Sequence, residues 1–544
     1  MKTIDGIMLK QMIISGANYL YNCYPEVDAL NVFPVPDGDT GTNMNLTMQS
    51  GAKEVENRTD KGVYEIAKAF SKGLLMGARG NSGVILSQIF RGFAMSLQGK
   101  ETINAVELSA ALSNGREVAY KAVMKPVEGT ILTVIKDSSK LLESKVNAKM
   151  DIEKAFEIFY QEARESLLRT PDLLPVLKEV GVVDSGGMGL CKVLHGFKKA
   201  LKGIIVEKNA VTSITEKEET SSIEASDEYG YCVEFVMNLP EEPTDVGKKM
   251  FVEKKFNSFL ESHGNSIIYK KDGQIVKVHL HTVAPGGILT YAQQFGEFNR
   301  VKVENLSLDH TEMNDFSEEV KEEPLKDYAI IACCAGDGIA DKFKEYGVDE
   351  IVSGGQTMNP STEDFVAAIK KVHAKKVIIL PNNSNIVLAA QQAADVYEDA
   401  EVKVIQAKTI PQGFVACMMF NPEASLEENV NEMTSAIANV KSGQVTFAIK
   451  DTNIDGVDIK KDQYIGINGK TIICCYPNKV KAAYKMITSM LDETSSIITL
   501  IVGEDATNEE VDALTELISN KYPDVEIEVT EGKQPVYSFI VGIE

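Results

Sequence analysis

The sequence predicts a multidomain chain: an all-α N-terminal domain over residues 1–206, an α+β middle domain over 230–310 and an α/β C-terminal domain over 327–544. Three observations predict it. Apolar residues recur at three- and four-residue spacing through most of the first 206 residues, the period of amphipathic helices around one core. Two polar stretches, 207–229 and 311–326, are poor in aromatics and read as linkers. Beyond the second, short apolar runs alternate with helical ones, as in a largely parallel sheet covered by helices.

In the first region the helical period runs through 4–21, 44–55, 63–76, 84–97, 103–123, 131–146, 152–168 and 188–205. That makes about eight segments joined by short Gly or Pro turns. Between the first two lies Asn31-Val-Phe-Pro-Val-Pro-Asp-Gly-Asp-Thr-Gly-Thr-Asn-Met44. Asp37 and Asp39 flank Gly38, and a tight turn aims both carboxylates at one cation. Mg²⁺ is the expected ion, because it takes one or two carboxylates and fills its shell with water and phosphate oxygens. Pro34 and Pro36 keep the approach out of helix. Thr40, Asn43 and Met44 fall where the next helix should start, and its spare N–H groups suit phosphate. The plainer reading is a proline-rich turn with solvated aspartates. In Gly77-Ala-Arg-Gly-Asn-Ser-Gly83, the small residues Gly77 and Gly80 let backbone N–H groups approach phosphate. Asn81 and Ser82 are expected to cap the following helix, and an ordinary connector is the alternative. Thr130 is expected as an N-cap, with or without an ATP contact.

The middle region reads strand 231–239, helix 246–260, strands 266–271 and 274–281, helix 286–295 and strand 301–308. The order βαββαβ suggests a ferredoxin-like sandwich, with first and third strands adjacent and antiparallel. Cys232 opens the first strand, while His279 and His281 close the third on one face. These three are candidate ligands for Zn²⁺ with a fourth position open. A buried Cys beside two partly exposed histidines is the alternative.

In the last region, strands are expected at 328–334, 377–380, 402–405, 443–450, 470–475 and 497–502. Helices are expected at 343–346, 362–372, 386–396 and 426–440. Cys333-Cys334 and Cys474-Cys475 should alternate across their sheets and serve packing. The turns Ser353-Gly-Gly-Gln-Thr-Met-Asn-Pro-Ser361 and Leu380-Pro-Asn-Asn-Ser-Asn385 follow strands, where α/β folds place ligand turns. Neither contains a Walker lysine.

The net charge of −23 disfavours nucleic acid and anionic membrane surfaces as partners. It does not exclude ATP, whose phosphates are handled by local turns and Mg²⁺. No apolar run reaches the roughly 20 residues of a membrane span, and the first residues lack a signal-peptide core. Eight cysteines without a CxxC suggest reduced thiols and a cytoplasmic location.

The stretch 31–44, GARGNSG at 77–83, Val183-Asp-Ser-Gly-Gly-Met-Gly189 and the Cys232/His279-Leu-His281 set together resemble the A subunit of bacterial fatty acid kinase. The Asp37-Gly-Asp39 turn is similar to G-D-G-D-H-G in the dihydroxyacetone kinase L subunit. The resemblance implies an eight-helix barrel holding ATP and Mg²⁺ at one end, with 77–83 as its phosphate loop. Asp184 and Gly186 would lie in the turn that closes over the nucleotide, Asp184 on the ribose or adenine side or as a cap. The L subunit carries a third metal-binding aspartate just before its pair. Here Asn31 is favoured over Asp28 as a neutral oxygen ligand, and the number of ions stays open.

The implied reaction moves the ATP γ-phosphoryl group to a fatty acid carboxylate, giving an acyl phosphate and ADP. His279 and His281 would face the acyl group or organise the middle domain. The C-terminal region resembles DegV-type fatty-acid-binding proteins and would dock a separate DegV-like carrier that presents the fatty acid. Gly354, Gly355, Thr357, Asn359 and Asn382 are expected to be remnants of a lost ligand site. Family precedent and the modular architecture allow a homodimer. Two rival readings are a kinase of a small hydroxylated substrate such as dihydroxyacetone, and a non-enzymatic lipid-binding or regulatory scaffold.

Overall fold

Local capping chemistry sets where many helices begin. Asp5 accepts the Met8 N–H ahead of Gly6–Tyr21, and Asn104 and Glu107 form a reciprocal box ahead of Ala105–Ala122. The same box recurs at Ser361/Asp364, Ser425/Glu428 and Thr507/Glu510. The computed structural model describes residues 1–32, 38–209, 231–240, 251–272, 274–305, 325–355, 359–448, 451–454, 456–469 and 471–544. Residues 1–211 and 324–544 form one unit, and residues 212–323 a second. Most of both expected linkers, with Asp37 and Thr357, lies outside the described residues.

The helical region contains α1 (Gly6–Tyr21), α2 (Tyr24–Asp28), α3 (Thr40–Glu56), α4 (Val63–Met76), α5 (Gly80–Ser96), α6 (Ala105–Ala122), α7 (Ile131–Lys145), α8 (Ile152–Leu173), α9 (Pro175–Val180) and α10 (Ser185–Leu201). A two-residue bridge joins β1 (Thr3–Ile4) to β2 (Ile103–Asn104). Leaving aside the short α2 and α9, each helix packs against the next and α10 returns to α1. The ring is filled. Phe90, Phe93, Phe156, Phe159 and Phe197 meet in its interior and leave a void of only about 20 Å³.

The second unit contains β3 (Tyr231–Asn238), α11 (Glu253–His263), β4 (Asn265–Asp272), β5 (Ile275–Thr282), α12 (Pro285–Ala292) and β6 (Glu297–Asn305). Its sheet order is β4-β5-β3-β6, with every neighbouring pair antiparallel. Phe235, Phe256, Val278, Leu280 and Ile288 form its core.

The C-terminal region begins with β7 (Lys326–Cys334), α13 (Asp337–Glu345), β8 (Glu350–Ser353), α14 (Thr362–Val372), β9 (Ala374–Leu380), α15 (Val387–Val396) and β10 (Glu401–Val404). These strands make a parallel sheet in the order β10-β9-β7-β8. Then come α16 (Ile410–Met418), α17 (Leu426–Ile437), β11 (Lys441–Phe447), β12 (Thr452–Ile454), β13 (Val457–Ile459), β14 (Tyr464–Asn468), β15 (Thr471–Tyr476), α18 (Lys479–Met490), β16 (Ile497–Val502), α19 (Asn508–Lys521), β17 (Glu526–Glu531) and β18 (Tyr537–Ile543). Their main sheet runs β15-β14-β11-β18-β16-β17, and only its β16–β17 pair is parallel. The expectation of a largely parallel sheet is therefore corrected to two main sheets, one parallel and one mostly antiparallel, beside the small β12–β13 pair. The apolar runs have the same composition in both, and only the connections decide strand direction. Cys333 and Cys334 enter cores on opposite faces of the first sheet, as alternation requires.

No helix among the described residues is long and apolar enough to cross a membrane.

Phe159 is fully buried in the ring. Phe159→Ala should lower the stability of the helical region by about 3–5 kcal/mol, read as an earlier denaturation transition in its helical signal. A loss below about 1 kcal/mol would mean that the filled ring interior is wrongly described.

Candidate nucleotide–metal site

Four helix starts gather at one end of the ring. Asp39 is the N-cap residue of α3, is half-buried, and makes no side-chain bond to its own helix. The helix therefore begins earlier than its apolar period, at Thr40, and Asn43 sits buried in its first turn. Thr47, one turn further, ties α3 to the glycine loop. Its hydroxyl donates to the Asn43 carbonyl at 2.7 Å, lies 3.4 Å from the Gly77 carbonyl, and accepts the Arg79 N–H at 3.2 Å. Gly80 has φ +59°, and a Cβ there would lie 2.7 Å from Asn43 Nδ2. Glycine is required both for this backbone angle and for the close approach.

Helix α5 begins at Gly80 with Arg79 as its N-cap residue and no side-chain cap. Asn81 and Ser82 thus do not cap it, contrary to expectation. They lie inside the helix, whose start carries no side-chain cap among the described residues, the arrangement that suits an anion.

The other two starts belong to α7 and α10. Thr130 holds the N-cap position of α7, but its hydroxyl donates to the Val127 carbonyl at 2.7 Å and caps nothing. Asp184 caps α10, accepting the Gly187 N–H at 2.7 Å and a further N–H from Ile131. It therefore ties the start of α10 to the start of α7, with Gly186, in the first turn of α10, buried beside Ile131. Burial pushes the Asp184 carboxyl up to about 6, against the opposing pull of those two N–H groups. Met44 is fully buried with its sulfur against Gly189, where a Cβ would lie 2.4 Å away. Its side chain packs α3 against α10.

Asp28, passed over in favour of Asn31, is the carboxylate joined to α3. It accepts the Thr42 N–H at 3.0 Å and the Thr42 hydroxyl at 2.8 Å. Burial raises its pKa above the ordinary value; the Thr42 and Gly41 donors oppose this, and neighbouring Asp39 adds to it. Asn31 is buried just after α2. Among the described residues no group of three His, Cys, Asp or Glu side chains is arranged to hold a metal ion. Asp37 lies outside that set, so the donors on view are hard oxygens on Asp39 and on the neighbouring carboxylate and amide side chains. That chemistry fits a divalent cation of the Mg²⁺ type.

The site has a second wall, which the sequence reading missed. Asn359 Nδ2 donates to Asp39 Oδ2 at 2.5 Å and faces Asn43 Oδ1 at 3.4 Å. Arg79 Nη1 donates to the Asn359 carbonyl at 2.8 Å and lies 3.6 Å from the Asp364 carboxylate. Arg79 and Ser361 form an antiparallel bridge, and the Thr362 N–H reaches the Ala78 carbonyl at 3.2 Å. Asn81 Nδ2 donates to Asn385 Oδ1 at 3.2 Å, and Gln392 binds Ser87, Gln88 and the Leu75 carbonyl. The turns expected to be remnants therefore reach the glycine loop. Their one sequence signal was their place after strands of an α/β sheet. Gly354, Gly355 and Asn382 instead line a cavity of about 860 Å³, together with Ile339, Thr409, Gln534 and, from the helical region, Val32 and Leu174.

In the second unit, backbone register sets Cys232 directly opposite His281 and Glu234 opposite His279. The side chains of Cys232, His279 and His281 lie outside the described residues.

Asp184 yields a pH test. Its folded pKa lies above that of an exposed carboxyl, so the folded state holds this proton more tightly. The stabilising contribution is full below about pH 4 and is lost as pH rises to about 6. Asp184→Asn, which never ionises, should gain stability relative to wild type across that window, by on the order of 2–3 kcal/mol. Denaturation at about pH 4 and about pH 6.5 measures it, and a constant difference between the two proteins would refute the assignment.

The chain matches three family models. They are the DAK2 domain over residues 34–199, the fatty acid kinase A-subunit-like middle domain over 228–313, and the fatty acid kinase A-subunit-like C-terminal domain over 329–544. It is 49% identical to Protein YloV of Bacillus subtilis across 100% of both chains. It is 46% identical to an uncharacterized protein of Staphylococcus aureus strain USA300 across 99% of each. Among solved structures, the Streptococcus pneumoniae fatty acid kinase B3 protein loaded with linoleic acid is 14% identical, spanning 40% of this chain and 99% of that one, with a TM-score of 0.27. The dihydroxyacetone kinase of C. freundii with AMP-PNP and Mg²⁺ is 17% identical, spanning 36% of this chain and 34% of that one, with a TM-score of 0.29. On the family models and the full-length relatives, the chain belongs to the fatty acid kinase A-subunit-like family.

Proposed function

We propose that this chain is the ATP-binding component of a fatty acid kinase, phosphorylating a fatty acid carboxylate presented by a separate DegV-like carrier. The observation that carries the reading is the close approach of α3, which begins at Asp39, to the uncapped start of α5, where Asn43 lies against Gly80, within one ring of helices. It joins a hard anionic ligand to free N–H donors, the two needs of a bound Mg·nucleotide. Mg²⁺, held by Asp39 and Asp37, would supply neutralisation of phosphate charge. The chain's own part is positioning. The 77–83 loop and the first turn of α3 hold the phosphates, and Thr47 keeps those two elements in register. A fatty acid carboxylate is already ionised near neutral pH, so the reaction needs alignment and charge stabilisation more than a base.

The reading takes the ring of eight long helices as a barrel and the antiparallel middle sheet as a ferredoxin-like sandwich, supported by their neighbour order. It keeps Cys232, His279 and His281 as Zn²⁺ ligands, supported by the Cys232–His281 register. A second reading rests on the cavity of about 860 Å³ in the C-terminal region: this chain itself holds the acyl tail.

ADP release from Mg·ATP separates these. With a long-chain fatty acid and a DegV-like carrier, wild type should turn over, and Asp39→Ala should lose at least about 100-fold. Turnover that needs no carrier favours the second reading, and glycerone as the better acceptor would refute both. Elemental analysis of the full chain should give about one Zn per chain, falling towards zero in Cys232→Ser. Zinc-free wild type refutes that site.

A further inference from the structure

Asn359 is more completely engaged than its place in a turn between strand and helix requires. Its side chain is 3% exposed. Nδ2 faces two acceptors, Asp39 Oδ2 and Asn43 Oδ1, which fixes the amide with its nitrogen towards the carboxylate. Oδ1, on the other side, is buried with no hydrogen-bond partner among the described residues. A buried amide oxygen left unpaired is uncommon and calls for an explanation. Its backbone is also held: Arg79 grips the Asn359 carbonyl, the Arg79–Ser361 bridge follows, and the Ser361/Asp364 box starts α14. The residue is thus a short polar arm on a fixed mount, reaching the candidate metal ligand from the C-terminal region.

We infer that Asn359 is a positioning residue of the metal site, resting on the kinase reading above. Without a cation, its N–H neutralises and aims the Asp39 carboxylate. With a cation bound at Asp39, a donor N–H beside the ion is unfavourable, and the unpaired Oδ1 is the oxygen the ion or its water would take. The exchange needs only a turn of the terminal amide, whose torsion is soft and roughly two-fold. An amide oxygen is an accepted hard ligand, and pairing an aspartate with an asparagine around Mg²⁺ is a recurring phosphoryl-transfer arrangement. The metal site is then complete only with the C-terminal region seated on the glycine loop.

The test is ATP affinity by calorimetry over a series of free Mg²⁺ concentrations, on full-length wild type, Asn359→Ala and Asn359→Asp, with thermal unfolding alongside. Asn359→Ala should raise the Mg²⁺ concentration giving half the maximal enhancement by on the order of 10-fold. Asn359→Asp is nearly isosteric and supplies a stronger oxygen ligand. It should bring that concentration back to within about threefold of wild type or below it. A purely structural role would lower the melting temperature of both variants and shift them alike. Equal shifts in both, or an unmoved Mg²⁺ dependence in Asn359→Ala, overturns this inference and leaves the kinase reading standing. Wild type that binds ATP with no Mg²⁺ dependence overturns both.

Discussion

The close approach of α3 to the loop before α5 is the contact on which the site depends. Thr47 accepts from Arg79 and donates back to Asn43, so one hydroxyl joins both elements. Gly80 makes the approach sterically permissible, because no L side chain is comfortable at its φ and none fits against Asn43. Everything that follows uses this contact. Asp39 begins α3 and accepts from Asn359, and Arg79 takes hold of residues 359–364.

The starts of α7 and α10 work differently. There Asp184 and Ile131 join two helix starts, and Met44 fills the space left by Gly189. These are packing and capping contacts. The difference explains why motif residues with similar chemistry have different roles. Asp39 and Asp184 are both N-cap aspartates, yet Asp184 accepts from its own helix and from Ile131, while Asp39 makes no cap bond and accepts from Asn359.

Much of the helical region was legible in the sequence because burial of one face imposes a period of three and four. The eight long helices follow that period, and the glycine turns between them fall where the motifs lie. The α3 start was less legible, since Thr40 and Asn43 are polar yet buried, Asn43 partly against the distant Asn359. Strand direction in the C-terminal region was not legible either. Ile497–Val502 reads as a buried strand, but its antiparallel partner β18 comes only after a helix and another strand.

The sequence by itself determined the elements whose causes are local: amphipathic period, capping boxes and the glycine loop. Tertiary structure alone decided that Asn359 meets Asp39 across 320 residues of chain and that Arg79 joins Ser361. The physical reason is the range of the forces involved. Turn chemistry and helix periodicity act over a few residues and leave a mark in the composition. A hydrogen bond between distant segments depends on how a sheet and a helical ring dock, and an asparagine that will be buried there looks the same in sequence as one left in water.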